Sequence, residues 1–365
     1  MSHEMIKPYS LKEGDQVALV SPVNLPPRQY RADQFIMDYL RNKGFGAVNF
    51  IASADTEKKR SSTFNEAIIS GSKALLPISG NRYADDIFHR IDYESFARMR
   101  PIFCTFSAAS ALLLALHFRS NVGVFYGPHI SFIHEEAMFR ENTYTIASFW
   151  NMLTRRVGIT ESAESSPVDH LAFGWDGYGL VLKNIFQSGA WLDKDTIPFV
   201  SCKNNQTSPL IHGRLLPSFL QSLEKALASG IEVDFSDRIV LVESDEIGFE
   251  RAFSILKKIK TEASLTEAAA IVLASFVTYK QNPPNEKLIR ELSDRDNIRQ
   301  FIDDVKRLTD DNLPIIYGFP MGHLKYKLTI PMGVEATLNS ETGDITLLES
   351  PFEEEETEKN VTRMV

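Results

Sequence analysis

The sequence predicts an α/β protein with an N-terminal doubly wound parallel-sheet domain and a C-terminal mixed α/β domain. Three observations carry this. Short apolar runs alternate with helical stretches across residues 16–128, as strands covered by helices on both faces do. Those runs end in Ser, Gly or Pro, the residues that turn a strand into a loop. After a stretch of weaker pattern, the alternation resumes and closes on a polar–apolar alternation around Ser-Glu-Thr-Gly-Asp, which reads as antiparallel strands.

The elements follow in order. "QVALVSP" (16–22) is a buried strand feeding a loop, and an amphipathic helix follows over 29–42, stopped by Lys43-Gly44. "GAVNFI" (46–51) is the next strand, "KALLPIS" (73–79) ends at the turn-forming pair Gly80-Asn81, and "PIFCTF" (101–106) and "VGVFYGP" (122–128) repeat the pattern. Ligand chemistry in such sheets sits at the carboxyl ends of the strands, where Ser21, Gly80, Ser107 and Gly127 fall. Over residues 140–205 the pattern weakens, with Trp150, Trp175 and Trp191 among Gly, Asp and Asn, as in a connection or lid. Beyond it, 217–229 and 247–260 read as helices, and 237–244 and 269–276 as strands. The expected organisation is an N-terminal domain over 1–160, a connection over 161–205, a C-terminal domain over 206–350 and an acidic tail over 351–365.

Composition excludes several classes. A chain of 365 residues, 43% hydrophobic and 24% charged, can bury large cores. Its net charge of -9 offers no basic face to nucleic acid or an anionic membrane. No apolar run reaches the roughly 18–20 residues of a membrane span, and the start shows no cationic segment leading into an apolar one. Cys104 and Cys202 are the only cysteines and form neither a metal cluster nor a disulfide framework, which points to a reducing cytoplasm.

Three residues could carry chemistry. Ser107 stands where the strand "PIFCTF" gives way to the apolar helix "AASALLLALHF", a place for a helix cap or a nucleophile. Capping is the commoner use. His323 lies in the Gly-Pro-rich loop "YGFPMGHLKYKL", where a side chain can be aimed; Glu243 ends the apolar run "RIVLVE", where an ionisable group is costly unless paired. A serine, a histidine and a carboxylate make a hydrolytic triad when geometry joins them, whatever their order. The first strand ends in Ser21-Pro22 rather than Gly-x-Gly-x-x-Gly, which argues against a dinucleotide site.

The chain resembles the LD-carboxypeptidase family of serine peptidases, and most closely its branch of microcin C self-immunity (MccF-like) proteins. The resemblance rests on "LKEGDQVALVSP", "SGNRYADDIFHRIDYE", "CTFSAASALLLALHF", "VFYGP", "HGRLLPSFLQSL", "RIVLVESDE" and "GFPMGHLKYKLTIPMGVEATL". It implies an active site between the two domains, with a Ser107–Glu243–His323 triad, an oxyanion hole of the Gly80, Asn81 and Ala108 amides, and neither metal nor cofactor. A small peptide or aminoacyl-nucleotide amide is the implied substrate, with a murein tetrapeptide as the alternative and a non-catalytic ligand-binding homologue as another. A homodimer is implied, without nucleic acid or membrane partners. Three family segments differ here: Gly-Tyr-Ser-Asp reads Thr105-Phe106-Ser107-Ala108, Gly-Gly reads Gly80-Asn81, and Gly-Gly-Asn-Leu is read at His212-Gly213-Arg214-Leu215. Arg82 and Arg214, beside two of these, are candidate carboxylate-binding cations, and Trp175 is a candidate for stacking on a nucleobase.

Overall fold

The computed structural model describes residues 4–23, 33–52, 56–80, 84–139, 143–155, 173–175, 180–182, 184, 199–202, 208–262, 264–278, 285–309 and 313–354. The first half runs β1 (Gln16–Val20), α1 (Asp33–Asn42), β2 (Gly46–Phe50), α2 (Glu57–Ile69), β3 (Ala74–Pro77), a 3₁₀ segment (Asp85–Arg90) and α3 (Tyr93–Met99). It continues with β4 (Ile102–Thr105), a 3₁₀ turn (Ser107–Ala109), α4 (Ser110–Ser120), β5 (Phe125–Tyr126), α5 (Ile130–Phe139) and α6 (Thr143–Thr154). Strands β2-β1-β3-β4-β5 pair in parallel in that order. Helices α1 and α5 pack together, as do α2, α3 and α4, so the sheet is wound on both faces. That double cover explains why β3 and β4 are buried at every position and read as unbroken apolar runs.

The second half contributes β6 (Phe173–Trp175), β7 (Leu180–Leu182), β8 (Val200–Cys202), β9 (Leu210–Phe219), α7 (Leu220–Ala228), β10 (Arg238–Asp245) and α8 (Phe249–Glu262). A 3₁₀ turn (Leu265–Glu267), β11 (Ala270–Val277), α9 (Glu286–Ser293), α10 (Arg295–Leu308), β12 (Ile315–Tyr317), β13 (Ile330–Pro331), β14 (Glu335–Asn339) and β15 (Ile345–Leu347) complete it. Among the described residues its sheet has the order β6-β7-β15-β14-β9-β10-β11-β12-β8. The centre, β9 to β12, is parallel and both flanks are antiparallel. Helix α10 shows how the sequence builds this half. Ile298, Phe301, Ile302, Val305 and Leu308 recur at helical spacing and are buried, and Asp294 caps the first turn through the amides of Asp296 and Asn297.

Three features depart from the sequence reading. Residues 217–219, expected in a helix, finish β9, whose Gly and Pro hide its strand character. The stretch 161–205, expected as a connection, supplies β6, β7 and β8 to the two edges of the second sheet. Strand β13, expected in the C-terminal unit, pairs antiparallel with β5 of the first sheet, Ile330 opposite Tyr126. The halves are thus joined by a shared strand, and α4 also packs on α7. Among the described residues no helix is long and apolar enough to cross a membrane.

Candidate active site

Ser107 follows β4 at φ +61°, a left-handed conformation that costs a non-glycine residue about 1–2 kcal/mol. It opens the 3₁₀ turn leading into α4, and neither Phe106 nor Ala109, the residues before the turn and before α4, makes a side-chain cap. The Ser107 hydroxyl is engaged elsewhere: its Oγ lies 2.9 Å from His323 Nε2. The Ser222 hydroxyl, on α7, donates to the main-chain oxygens of Ser107 and Ala108 at 3.1 Å each. The Ala109 amide donates to Gly80 O at 3.0 Å, which ties the turn to the end of β3.

His323 sits in the loop after β12. The loop is pinned to β11 by the Ser275 hydroxyl, which donates to Met321 O at 2.8 Å. Its imidazole Nδ1 lies 2.9 Å and 3.1 Å from the two Glu243 carboxylate oxygens, and its ring lies between Phe106 and Phe219, with centroids 5.1 Å and 5.3 Å away. Gly322 is required beside it. The residue has φ +82°, and a Cβ there would come within 2.3 Å of Glu243 Cγ.

Glu243 is completely buried. The pairing of β10 with β11 shifts register between Val242 and Glu243; such a bulge re-aims a side chain beside a site. Its Oε1 also accepts the hydroxyl of Tyr126, from the end of β5. Burial and the Glu243 charge push the Tyr126 phenol well above its ordinary value, so it stays a donor. A serine hydroxyl, an imidazole and an anchored carboxylate in one hydrogen-bonded line can activate the serine as a nucleophile.

The other candidates divide. Gly80 lies at the site: a Cβ there would stand 1.9 Å from His129 Nε2 and 2.8 Å from Phe106 O. Ala108 is buried beside Ser107. Asn81 and Arg82 lie outside the described residues. Trp175 lies in β6, opposite Leu180 of β7. Arg214 is not brought to Ser107. It pairs with Glu335 at 2.8 Å and sits opposite Arg238 at the start of β10, whereas Glu243 lies opposite Phe219. Five strand residues separate the two places, about 16 Å. Phe219, at the carboxyl end of β9, packs on the His323 ring instead, five residues beyond Arg214.

Sequence reasoning missed Tyr126, Phe219, His129, Asp245 and Lys327. Lys327 and His129 are buried around Phe106: the Lys327 Nζ is 5.3 Å and the His129 ring 4.5 Å from its ring centroid. Asp245 Oδ2 is 3.7 Å from His323 Nε2. The available signal was position: Tyr126 ends an apolar strand, and Asp245 follows Glu243 at strand spacing.

Comparison with known proteins gives the family of the chain. Residues 17–127 match the LD-carboxypeptidase N-terminal domain and residues 212–338 the LD-carboxypeptidase C-terminal domain. The "Probable murein peptide carboxypeptidase" of Bacillus subtilis (strain 168) is 22% identical over 344 residues, covering 92% of each chain. An MccF-like protein from Bacillus anthracis str. Ames has the same fold, with a TM-score of 0.70 at 19% identity over 93% of this chain and 98% of that one. Microcin C7 self immunity protein MccF, solved in complex with aspartyl sulfamoyl adenosine, superposes with a TM-score of 0.61 at 19% identity, covering 95% and 99%. With both family domains matched in order on one chain, this protein belongs to the LD-carboxypeptidase family.

Proposed function

We propose that this protein is a serine carboxypeptidase or amidase that works through Ser107, His323 and Glu243. The observation that carries the reading is the continuous chain of contacts from Glu243 through His323 to Ser107, each link 2.9 Å. As Ser107 Oγ attacks an amide carbonyl, His323 Nε2 takes the hydroxyl proton, and Glu243, itself held by Tyr126, stabilises the imidazolium. The imidazolium then gives the proton to the leaving amine, and water, deprotonated by His323, releases the acyl group from Ser107. Amides of Gly80 and Ala108 hold the oxyanion; one such donor is worth roughly 3 kcal/mol. The start of the helical segment behind Ser107 adds positive potential beside that charge.

The substrate we favour is an aminoacyl or peptidyl amide whose leaving group is a nucleotide. The MccF complex with aspartyl sulfamoyl adenosine supports that class. A cation beside the site also suits an anionic leaving group, and buried Lys327 next to Phe106 provides it here. The test is hydrolysis of an aspartyl-adenylate analogue and of a murein tetrapeptide at equal concentration, each followed by mass spectrometry. Faster loss of the analogue is expected. Preference for the tetrapeptide moves the assignment to murein, and turnover of neither refutes the proposed activity on both substrate classes.

A further inference from the structure

Asp245 is the second carboxylate at His323. Side chains two residues apart share a face of a strand, and the register shift in β10 falls before both Glu243 and Asp245. Glu243 therefore takes the Nδ1 edge of the imidazole, while Asp245 Oδ2 lies 3.7 Å from Nε2, the nitrogen that Ser107 Oγ approaches at 2.9 Å. Asp245 is 7% exposed. The Gln221 side-chain amide donates to its main-chain oxygen at 2.9 Å and fixes the strand end that carries it. The proton transfers from Ser107 need only one carboxylate, at Nδ1. A second carboxylate beside the reacting oxygen selects among substrates: in its ionised form it repels an anionic group there and favours a cationic donor.

The geometry points to Asp245 as the residue that recognises a free ammonium on the acyl side of the substrate, next to the carbonyl that Ser107 attacks. An α-ammonium nitrogen is two bonds from that carbonyl carbon. With the carbon poised about 3–3.5 Å from Ser107 Oγ, the ammonium comes within reach of a carboxylate flanking His323 Nε2. The bond so formed is charge-assisted. Acylating the amine removes its charge and sets an amide against the buried carboxylate, a mismatch that a polar site penalises heavily. The substrate class is thus an aminoacyl amide with a free amino end rather than an N-blocked peptide. This inference rests on Ser107 being the nucleophile.

Calorimetric titration of the Ser107→Ala protein with aspartyl sulfamoyl adenosine and with its N-acetyl derivative separates recognition from turnover. At least tenfold tighter binding of the free amine is expected. Adding Asp245→Asn should abolish that difference with little change in melting temperature, and adding Asp245→Glu should keep part of it. Equal affinity for the two probes, an undiminished difference in Asp245→Asn, or binding of neither overturns the inference. If Asp245→Asn does not fold, the comparison of probes on Ser107→Ala and Asp245→Glu still decides. Labelling of wild-type Ser107 by a serine-directed phosphonate is read alongside. A labelled Ser107 with equal probe affinities overturns only the role of Asp245, whereas an unlabelled Ser107 removes the hydrolase reading itself.

Discussion

The Tyr126 hydroxyl donates to Glu243 Oε1, the carboxylate that also holds His323 Nδ1, so a side chain of the first sheet anchors a charge carried by the second. The arrangement ties the orientation of the imidazole to the docking of the two halves. Tyr126→Phe leaves a fully buried carboxylate without that donor, a loss of about 1.5–3 kcal/mol for a hydrogen bond to a charged group. The expected outcome is a fall in kcat of about tenfold or more, a smaller change in KM, and a lower melting temperature. An unchanged kcat would remove Tyr126 from the machinery.

Ser107→Ala should abolish hydrolysis and move the melting temperature little, because the hydroxyl caps no helix. Thermal unfolding read beside activity checks this. If stability falls by the ~1 kcal/mol of a lost cap while activity persists, the serine is structural.

Ser107, His323 and Glu243 should act as one unit. The double variant Ser107→Ala with His323→Ala is expected to be scarcely worse than either single one, since groups acting in one step are grossly non-additive. Losses that multiply in kcat/KM would show independent roles.

Gly322→Ala tests the packing of the histidine loop on Glu243. At φ +82° and with Glu243 Cγ 2.3 Å from the added Cβ, the loop or the carboxylate must move. A destabilisation of about 2 kcal/mol or more is expected, together with loss of activity. Chemical denaturation gives the first and substrate turnover the second.

His117, on α4, provides a pH test away from the site. Burial, followed by the nearby Arg238 charge, pushes its imidazole down to about 4 from 6.5, and its Nδ1 lies 3.0 Å from Val122 O. The folded form holds it neutral, so between pH 6.5 and 4 the unfolded chain binds more protons. Stability therefore rises with pH across that window and falls as it is acidified, by about 3 kcal/mol. Denaturant melts at pH 7 and 4.5 should show a smaller acid loss in His117→Gln than in wild type. Equal losses would contradict the assignment.

The first sheet was legible because strands covered on both faces become unbroken apolar runs, as in Ala74–Pro77 and Ile102–Thr105. Ser107, Glu243 and His323 were legible because each interrupts or follows such a run with a residue that burial does not favour. Strand β9 was not, since Gly213 and Pro217 break the pattern while neighbours on both sides supply its order. Strand β13 has two residues and pairs across some 200 positions of chain, a contact that no local pattern encodes. Tyr126 and Asp245 look like ordinary strand-end residues; only the approach of the two sheets gives them Glu243 and His323 as neighbours. Arg214 was misplaced because the strand containing it was not recognised.

The central claim is that Ser107 is a nucleophile activated by His323 and Glu243. It is tested most directly by treating the intact wild-type protein with a serine-directed fluorophosphonate and locating the adduct by mass spectrometry of its peptides. A single adduct on Ser107 is predicted, lost in Ser107→Ala and strongly slowed in His323→Ala. An unlabelled Ser107, or labelling at the same rate without His323, would contradict it.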